Sequence, residues 1–273
     1  MNLLFTLDGT PVMMKPIAAL GLVPPVREII ILGKTALRET SPFDLARWRD
    51  DGNTLIFDEI DGRFPETIES LASGFLCASR TEFELRQAAR VPQSHYVPHA
   101  IDLRVRPIEC QDSKFRCVYV GAPANMALLT KSPDVEVIAT SDAAHRRQPR
   151  VPWAEQLPNF SHHYIVREPN PNRDFKPFTK GFLAAAFHAP VIASASDPES
   201  LLMLGSHYPY LAKDSTIKHV TKTVDYARET LAGSEWTDAR MVMKDLAKQG
   251  CALSVAQAWL NAVASIDAAD RPV

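Results

Sequence analysis

The chain carries no strong charge of either sign. Over its 273 residues the formal net charge is -2, so no overall basic field argues for a nucleic-acid partner. No run approaches the about 20 apolar residues needed to cross a bilayer. The opening, MNLLFTLDGTPVMMK, has no basic region ahead of its short apolar stretch and meets Asp8 early, so no signal peptide is expected. Cysteine is scarce. Cys77, Cys110, Cys117 and Cys251 match no zinc-binding pair, and the first and third fall inside apolar strand-like runs. They read as reduced structural thiols of a cytoplasmic protein, with no metal site among them. His162-His163 and the single His99, His188 and His207 also lack ligand-like spacing, although His99 could face a cleft. There is no Gly-x-Gly-x-x-Gly turn of the dinucleotide-binding kind, no fixed-period repeat and no low-complexity tract.

What is present is an ordinary globular composition, 46% hydrophobic and 23% charged, in a chain long enough for one large α/β domain or two small ones. Strand-like runs at 28–32, 54–57, 74–78 and 95–98 alternate with helix-like segments. Ser41-Pro42 and Ser79 supply helix starts between them. Strand-like residues 3–7 could be an edge strand. The polar, aperiodic stretch 101–114 reads as a linker, after which alternation resumes at 117–120, 135–139, 164–166 and 190–193. A last short strand is expected at 208–211, with helices from 216 onward. Strand and helix in alternation predict parallel, doubly wound sheets. The organisation expected is therefore one Rossmann-like domain over 1–103 and a second over 104–273 that includes the C-terminal helices.

The most informative stretch is HYIVREPNPNRDFKPFTKGFLAAAFHAPVIAS, which begins at His163. It reads as strand, loop, helix and strand, with the helix predicted over 175–187. Lys176, Thr179 and Lys180 then occupy the first turn, where unpaired N–H groups and the helix dipole favour an anion. Lysine in a first turn opposes the dipole, so helix stability does not explain the pair. A phosphate cradle and a solvated basic face both remain open on these residues alone. Asp58 and Asp61 follow the strand at 54–57, at the end of a parallel strand where ligand-facing groups gather. Either could be a base for an acceptor hydroxyl, or could cap the next turn.

Several segments together resemble the GT-B glycosyltransferases, of the family 1 and family 4 kind. FLCASRTEFELRQ followed by YVPHAID is similar to the end of their N-terminal domain, and CVYVGAP to the first strand and turn of the C-terminal one. KPFTKGFLAAAFHAPVIAS and LGSHYPYLAKD resemble the donor-site helix and its continuation. The resemblance spans about residues 54 to 230, in order and without a single strong motif. It implies two Rossmann-like domains facing a cleft, with a shortened acceptor-side domain. It implies a metal-independent transfer of a hexose-type sugar from a nucleotide-diphosphate sugar, which is a co-substrate and not a cofactor, to an unidentified glycan, lipid-linked or protein acceptor. Carried over, Lys176, Thr179 and Lys180 would hold phosphate, Gly121 would admit the donor backbone-close, and Arg167 would lie near base or ribose. Many retaining members have two glutamates around this helix start. Here Lys176 (or Phe175) and Leu183 stand there instead, leaving Glu199 as a substitute in the donor site. The rival expectation is a catalytically inactive GT-B-like binding or assembly protein.

Overall fold

A computed structural model of the chain describes residues 4–7, 10–13, 26–59, 64–91, 93–111, 114–126, 134–140, 152–167 and 175–270. At the start, β1 (Leu4–Leu7) pairs antiparallel with β2 (Thr10–Met13). The first parallel sheet then takes shape from β3 (Ile29–Gly33), β4 (Thr54–Glu59), β5 (Gly74–Cys77) and β6 (Ser94–Tyr96), in the order β3-β4-β5-β6. All three of its pairings are parallel, which requires crossovers on its faces. Helices α1 (Lys34–Glu39), α2 (Pro42–Asp50), α3 (Glu66–Glu69) and α4 (Arg80–Ala88) provide them. The Ser41 hydroxyl accepts from the Asp44 N–H at 3.1 Å and caps α2, as the Ser-Pro start predicts.

The period of two along β4 assigns its residues to opposite layers. Leu55 and Phe57 enter a core with Leu45, Trp48 and Phe75. Ile56 points the other way and joins Leu76, Ala262 and Ile266. Those last two residues belong to the final helix, residues 252–270, which therefore covers the first sheet and not the second. The Thr54 hydroxyl donates to Asp267 at 3.1 Å and the Ser73 hydroxyl to Asp270 at 2.7 Å. This differs from the expected division at 103/104, because the chain returns to its first unit at the end. Helical periodicity shows that one face of such a helix is buried but says nothing of which sheet buries it.

The second sheet contains β7 (Cys117–Val120), β8 (Val135–Ile138), β9 (His162–Tyr164), β10 (Val191–Ser194) and β11 (Leu211–Ala212), all parallel, in the order β11-β10-β9-β7-β8. Around it lie α5 (Thr179–Ala185), α6 (Pro198–Leu204), α7 (Ile217–Glu229) and α8 (Ser234–Gly250), with α9 (Ala252–Asp270) as the returning helix. The stretch expected as a linker forms neither helix nor strand where it is described, and it is stitched to the second unit. The Cys110 N–H donates to the Phe187 carbonyl and the Gln111 N–H to the Pro158 carbonyl, each at 2.9 Å. The last strand comes later and is shorter than the predicted 208–211 because Pro209 and Tyr210 form a turn, while the Tyr208 hydroxyl accepts from the Val191 N–H at 2.8 Å in the core. Among the described residues no helix is long and apolar enough to cross a membrane.

Adjacent residues of β9 also face opposite layers, and here both are histidines, each buried. His162 lies against Phe115 and Tyr210, and His163 stacks on Phe187 with centroids 6.2 Å apart. Neither Nε2 has a hydrogen-bond partner among the described residues. Burial holds each imidazole down to about 3, His163 adding to the effect on His162. The rings stay neutral in the fold, while the unfolded chain takes up protons as pH falls below the usual 6.5. Stability is therefore expected to fall between about pH 6.5 and 3, by up to about 1.4 kcal/mol per pH unit for each histidine. Urea midpoints measured across that window check it, and a His163→Leu variant should show a shallower slope.

Candidate functional site

The carboxyl ends of parallel strands are where an α/β sheet leaves room for ligands. Directly after β7, Gly121 adopts a φ of +144°, a region that side chains other than glycine's rarely enter. Its N–H donates to the Ile138 carbonyl at 3.0 Å and so keeps the turn on the sheet. From α5, Lys180 reaches across to this turn. Its Nζ lies 3.6 Å from the centroid of the Tyr119 ring, close enough for a cation–π contact. A Cβ on Gly121 would stand 3.1 Å from that Nζ and 3.3 Å from Cε. The ammonium thus occupies the space the glycine leaves, above a ring whose hydroxyl donates to the Ala122 carbonyl at 2.9 Å.

Burial is the main reason the Lys180 ammonium is pushed down to about 7, with Arg167 and Lys176 adding repulsion. Among the described residues no carboxylate pairs with Lys180. Arg167 is different: its Nη2 lies 3.1 and 3.0 Å from the two Asp197 oxygens and 3.3 Å from the Lys176 carbonyl. That pairing neutralises the guanidinium and fixes its direction.

The helix bearing Lys180 begins later than the sequence suggests. It starts at Thr179, because Pro177 keeps Lys176 out of the helical region. Lys176 therefore precedes the helix, and Thr179 and Lys180 are its first two residues. Phe178 at the N-cap offers no side-chain acceptor to the first turn, so the opening N–H groups keep their capacity for an anion. Thr179 is exposed, and its hydroxyl lies 3.1 Å from Nδ1 of His99.

Asp58 is the penultimate residue of β4, at the carboxyl edge of the first sheet, in register with Gly33 and Leu76. Burial pushes its carboxyl up to about 6, and no side-chain partner for it exists among the described residues. Asp61 lies outside the described residues. Leu183 is half-buried against the second core, so no carboxylate replaces the glutamate of the resemblance there. Glu199 is fully buried and receives hydrogen bonds from Ser79, Arg80 and Thr81 of the first unit. There the carboxylate offered as the donor-site substitute has donors of the first unit on both oxygens, one on Oε1 and three on Oε2.

Gly121, Arg167, Lys176, Thr179 and Lys180 are thus gathered at one edge of the second sheet, Asp58 stands at the edge of the first, and Glu199 lies between the units. Tyr119 and Asp197 escaped the sequence reading. Tyr119 left a signal, an aromatic two residues before a turn glycine, but an aromatic within a strand reads first as core.

No family model matches the sequence, and no curated protein does. Solved structures do match. HepE from Anabaena in complex with UDP superposes with a TM-score of 0.63 at 10% identity, over 91% of this chain and 80% of that one. The GtfA/B complex gives a TM-score of 0.62 at 10% identity, over 97% of this chain. The fold is GT-B. The pneumococcal O-GlcNAc transferase GtfA with UDP and GlcNAc matches with a TM-score of 0.56 at 9% identity, over 97% of this chain and 69% of its own. This chain spans 65% of the length of the matched GtfA/B chain. As a GT-B protein it has its two parallel sheets as separate Rossmann-like layers, with the final helix crossing back to the first.

Two outcomes are expected of these side chains. Gly121→Ala places a Cβ against the Lys180 amine and a side chain at positive φ, and should cost about 1 kcal/mol or more in chemical denaturation. Asp58 titrates at about 6 in the fold against an ordinary 3.8, so the stability it contributes is present below that ordinary value and lost as pH rises through the folded one. Asp58→Asn escapes this loss. It should be more stable than the parent at pH 7, by at most about 3 kcal/mol, and the gain should vanish by pH 4.

Proposed function

We propose that the chain transfers a sugar from a nucleotide-diphosphate sugar to an acceptor hydroxyl. The observation that carries this reading is the half-buried Lys180 ammonium, without a carboxylate among the described residues and flanked by Arg167 and Lys176, at the start of a helix. A buried cation is costly unless something anionic completes it. As the glycosidic bond breaks, negative charge develops on the departing diphosphate, and groups already aimed there lower the barrier. Lys180, Lys176, the Thr179 hydroxyl and the first N–H groups of α5 would supply that stabilisation. Gly121 would allow the donor close to the backbone, and Arg167, steadied by Asp197, would face base or ribose. The charge the diphosphate needs then comes from the chain itself, in a transfer that uses no metal. Asp58 would take the acceptor proton, its raised carboxyl being a stronger base than an ordinary aspartate, with Asp61 as the other candidate. The matches to HepE with UDP and to the pneumococcal transferase with UDP and GlcNAc support a nucleotide-sugar donor.

A second reading has one observation behind it. Leu183 packs into the second core where the resemblance places a ribose-binding glutamate, which suits a GT-B-like protein that binds or assembles without turnover.

Calorimetry with UDP, GDP and ADP separates these readings. Binding by at least one nucleotide is expected, weakened at least about tenfold, or about 1.4 kcal/mol, in Lys180→Ala and Lys176→Ala. No binding by any of them removes the donor site. Donor hydrolysis or transfer lost in Asp58→Asn supports the enzyme, and binding with no turnover supports the second reading.

The lowered Lys180 value carries a sign that the same calorimetry reads. Free protein above pH 7 holds a neutral amine, whereas a bound diphosphate favours the ammonium. Binding should take up a proton between pH 7 and 8. Affinity should fall as pH rises there, by up to about tenfold per unit, and the dependence should disappear in Lys180→Ala.

A further inference from the structure

One short segment touches both halves of the molecule. Asp197 and Glu199 stand two residues apart at the start of α6, and they turn to opposite partners. Asp197 holds Arg167 at the edge of the second sheet. The Glu199 carboxylate accepts from the Ser79 hydroxyl at 2.7 Å, the Arg80 N–H at 2.9 Å, the Thr81 N–H at 2.8 Å and the Thr81 hydroxyl at 2.9 Å. These donors open α4, a nine-residue helix, so its unpaired N–H groups and the positive end of its dipole favour the carboxylate that sits there. The side chain at 199 is 0% exposed, and every one of those four donors comes from the other unit. One turn further along α6, Met203 accepts from the Tyr96 hydroxyl at 3.6 Å, at the end of β6. The same helix face thus meets the first unit twice.

The partners of Glu199 follow directly on β5, and β5 pairs with β4 beside Asp58, which is in register with Leu76. We infer that Glu199 is a positioning residue that fixes the sheet bearing Asp58 relative to the Lys180 cradle. It thereby governs turnover and leaves nucleotide affinity alone. This rests on the sugar-transfer reading for its consequence, but the contact itself can be tested without it. A buried carboxylate satisfied by four donors is a rigid joint, since any rotation of one unit breaks several charge-assisted hydrogen bonds at once. A misplacement of about 1 Å between reacting groups can cost about 100-fold in rate.

Glu199→Gln puts an amide N–H₂ against backbone donors and loosens the joint. The test compares it with the parent by UDP calorimetry, by donor turnover, by hydrogen exchange at the Arg80 and Thr81 amides and by small-angle scattering. Expected are UDP affinity within about twofold, kcat lower by about 10- to 100-fold, faster exchange at both amides and a changed scattering profile. Loss of UDP binding with unchanged exchange and scattering would make Glu199 a donor ligand and overturn the inference. Unchanged kcat, exchange and scattering would overturn it as well. If the parent binds no nucleotide, the sugar-transfer reading falls, and exchange and scattering alone decide whether Glu199 holds the units. Should Glu199→Gln not fold, Thr81→Val removes one hydroxyl donor with little change of shape and is expected to move the same readouts by a smaller amount.

Discussion

The candidate site depends on a side chain that is not there. A Cβ at Gly181 would lie 1.8 Å from Cε1 of Phe178, so the ring can rest on α5 only because position 181 is glycine. Phe178 is the N-cap of this helix, and it meets Phe182 edge-on at 6.0 Å. Phe182 in turn fills the space over Gly250, where a Cβ would come within 2.6 Å of Cδ1. Two aromatic rings seated on two glycines therefore lock the start of α5 to the end of α8. Lys180 lies between Phe178 and Phe182 in sequence, so its direction follows from that packing. Close-packed interiors transmit such constraints because they have no slack to absorb them.

With the helix start fixed, burial sorts the charges. Lys180 and Asp58 are half-buried and Glu199 fully buried, yet only Glu199 is fully answered within the described chain, by four donors. Lys180 has a ring and neighbouring cations, and Asp58 has no described side-chain partner. Both respond by shifting toward their neutral forms, as desolvation requires. Structural groups are satisfied internally, whereas groups held in an unsatisfied state are those that await a ligand. His162 and His163 are also unsatisfied at Nε2, but they differ in their surroundings. Their rings lie fully buried among aromatic neighbours in the central strand of the second sheet, and their lowered values make them weigh on stability as pH falls.

What the sequence shows follows from how local each feature is. Parallel strands such as β4 and β10 are legible because a short apolar run between turn residues has few other structures open to it. The Lys176 to Lys180 segment was legible because two lysines oppose the dipole of the helix they begin, and propensity cannot account for them. Its boundary was misplaced, since the apolar pattern runs through Pro177 while the backbone does not. The remaining features are long-range. Apolar residues at 255, 259, 262 and 266 declare a buried helix face, but the sheet that buries them lies near the start of the chain. Glu199 reads locally as an acidic residue in a first turn, with nothing nearby to show that its partners are Ser79 to Thr81.

The resting state of Lys180 also bears on how such a site is kept stable while empty. Three full positive charges at 167, 176 and 180 would repel one another in a partly dry setting. The arrangement avoids this in two ways: Asp197 neutralises Arg167 permanently, and Lys180 is able to give up its proton near neutrality. On the proposed reading, the ammonium forms fully only when a diphosphate arrives to balance it. The charge that stabilises the leaving group is then created by binding, at a position already fixed by the Phe178 and Gly181 contact. Reorganisation is confined to a proton, which costs far less than moving a side chain into place as the bond breaks.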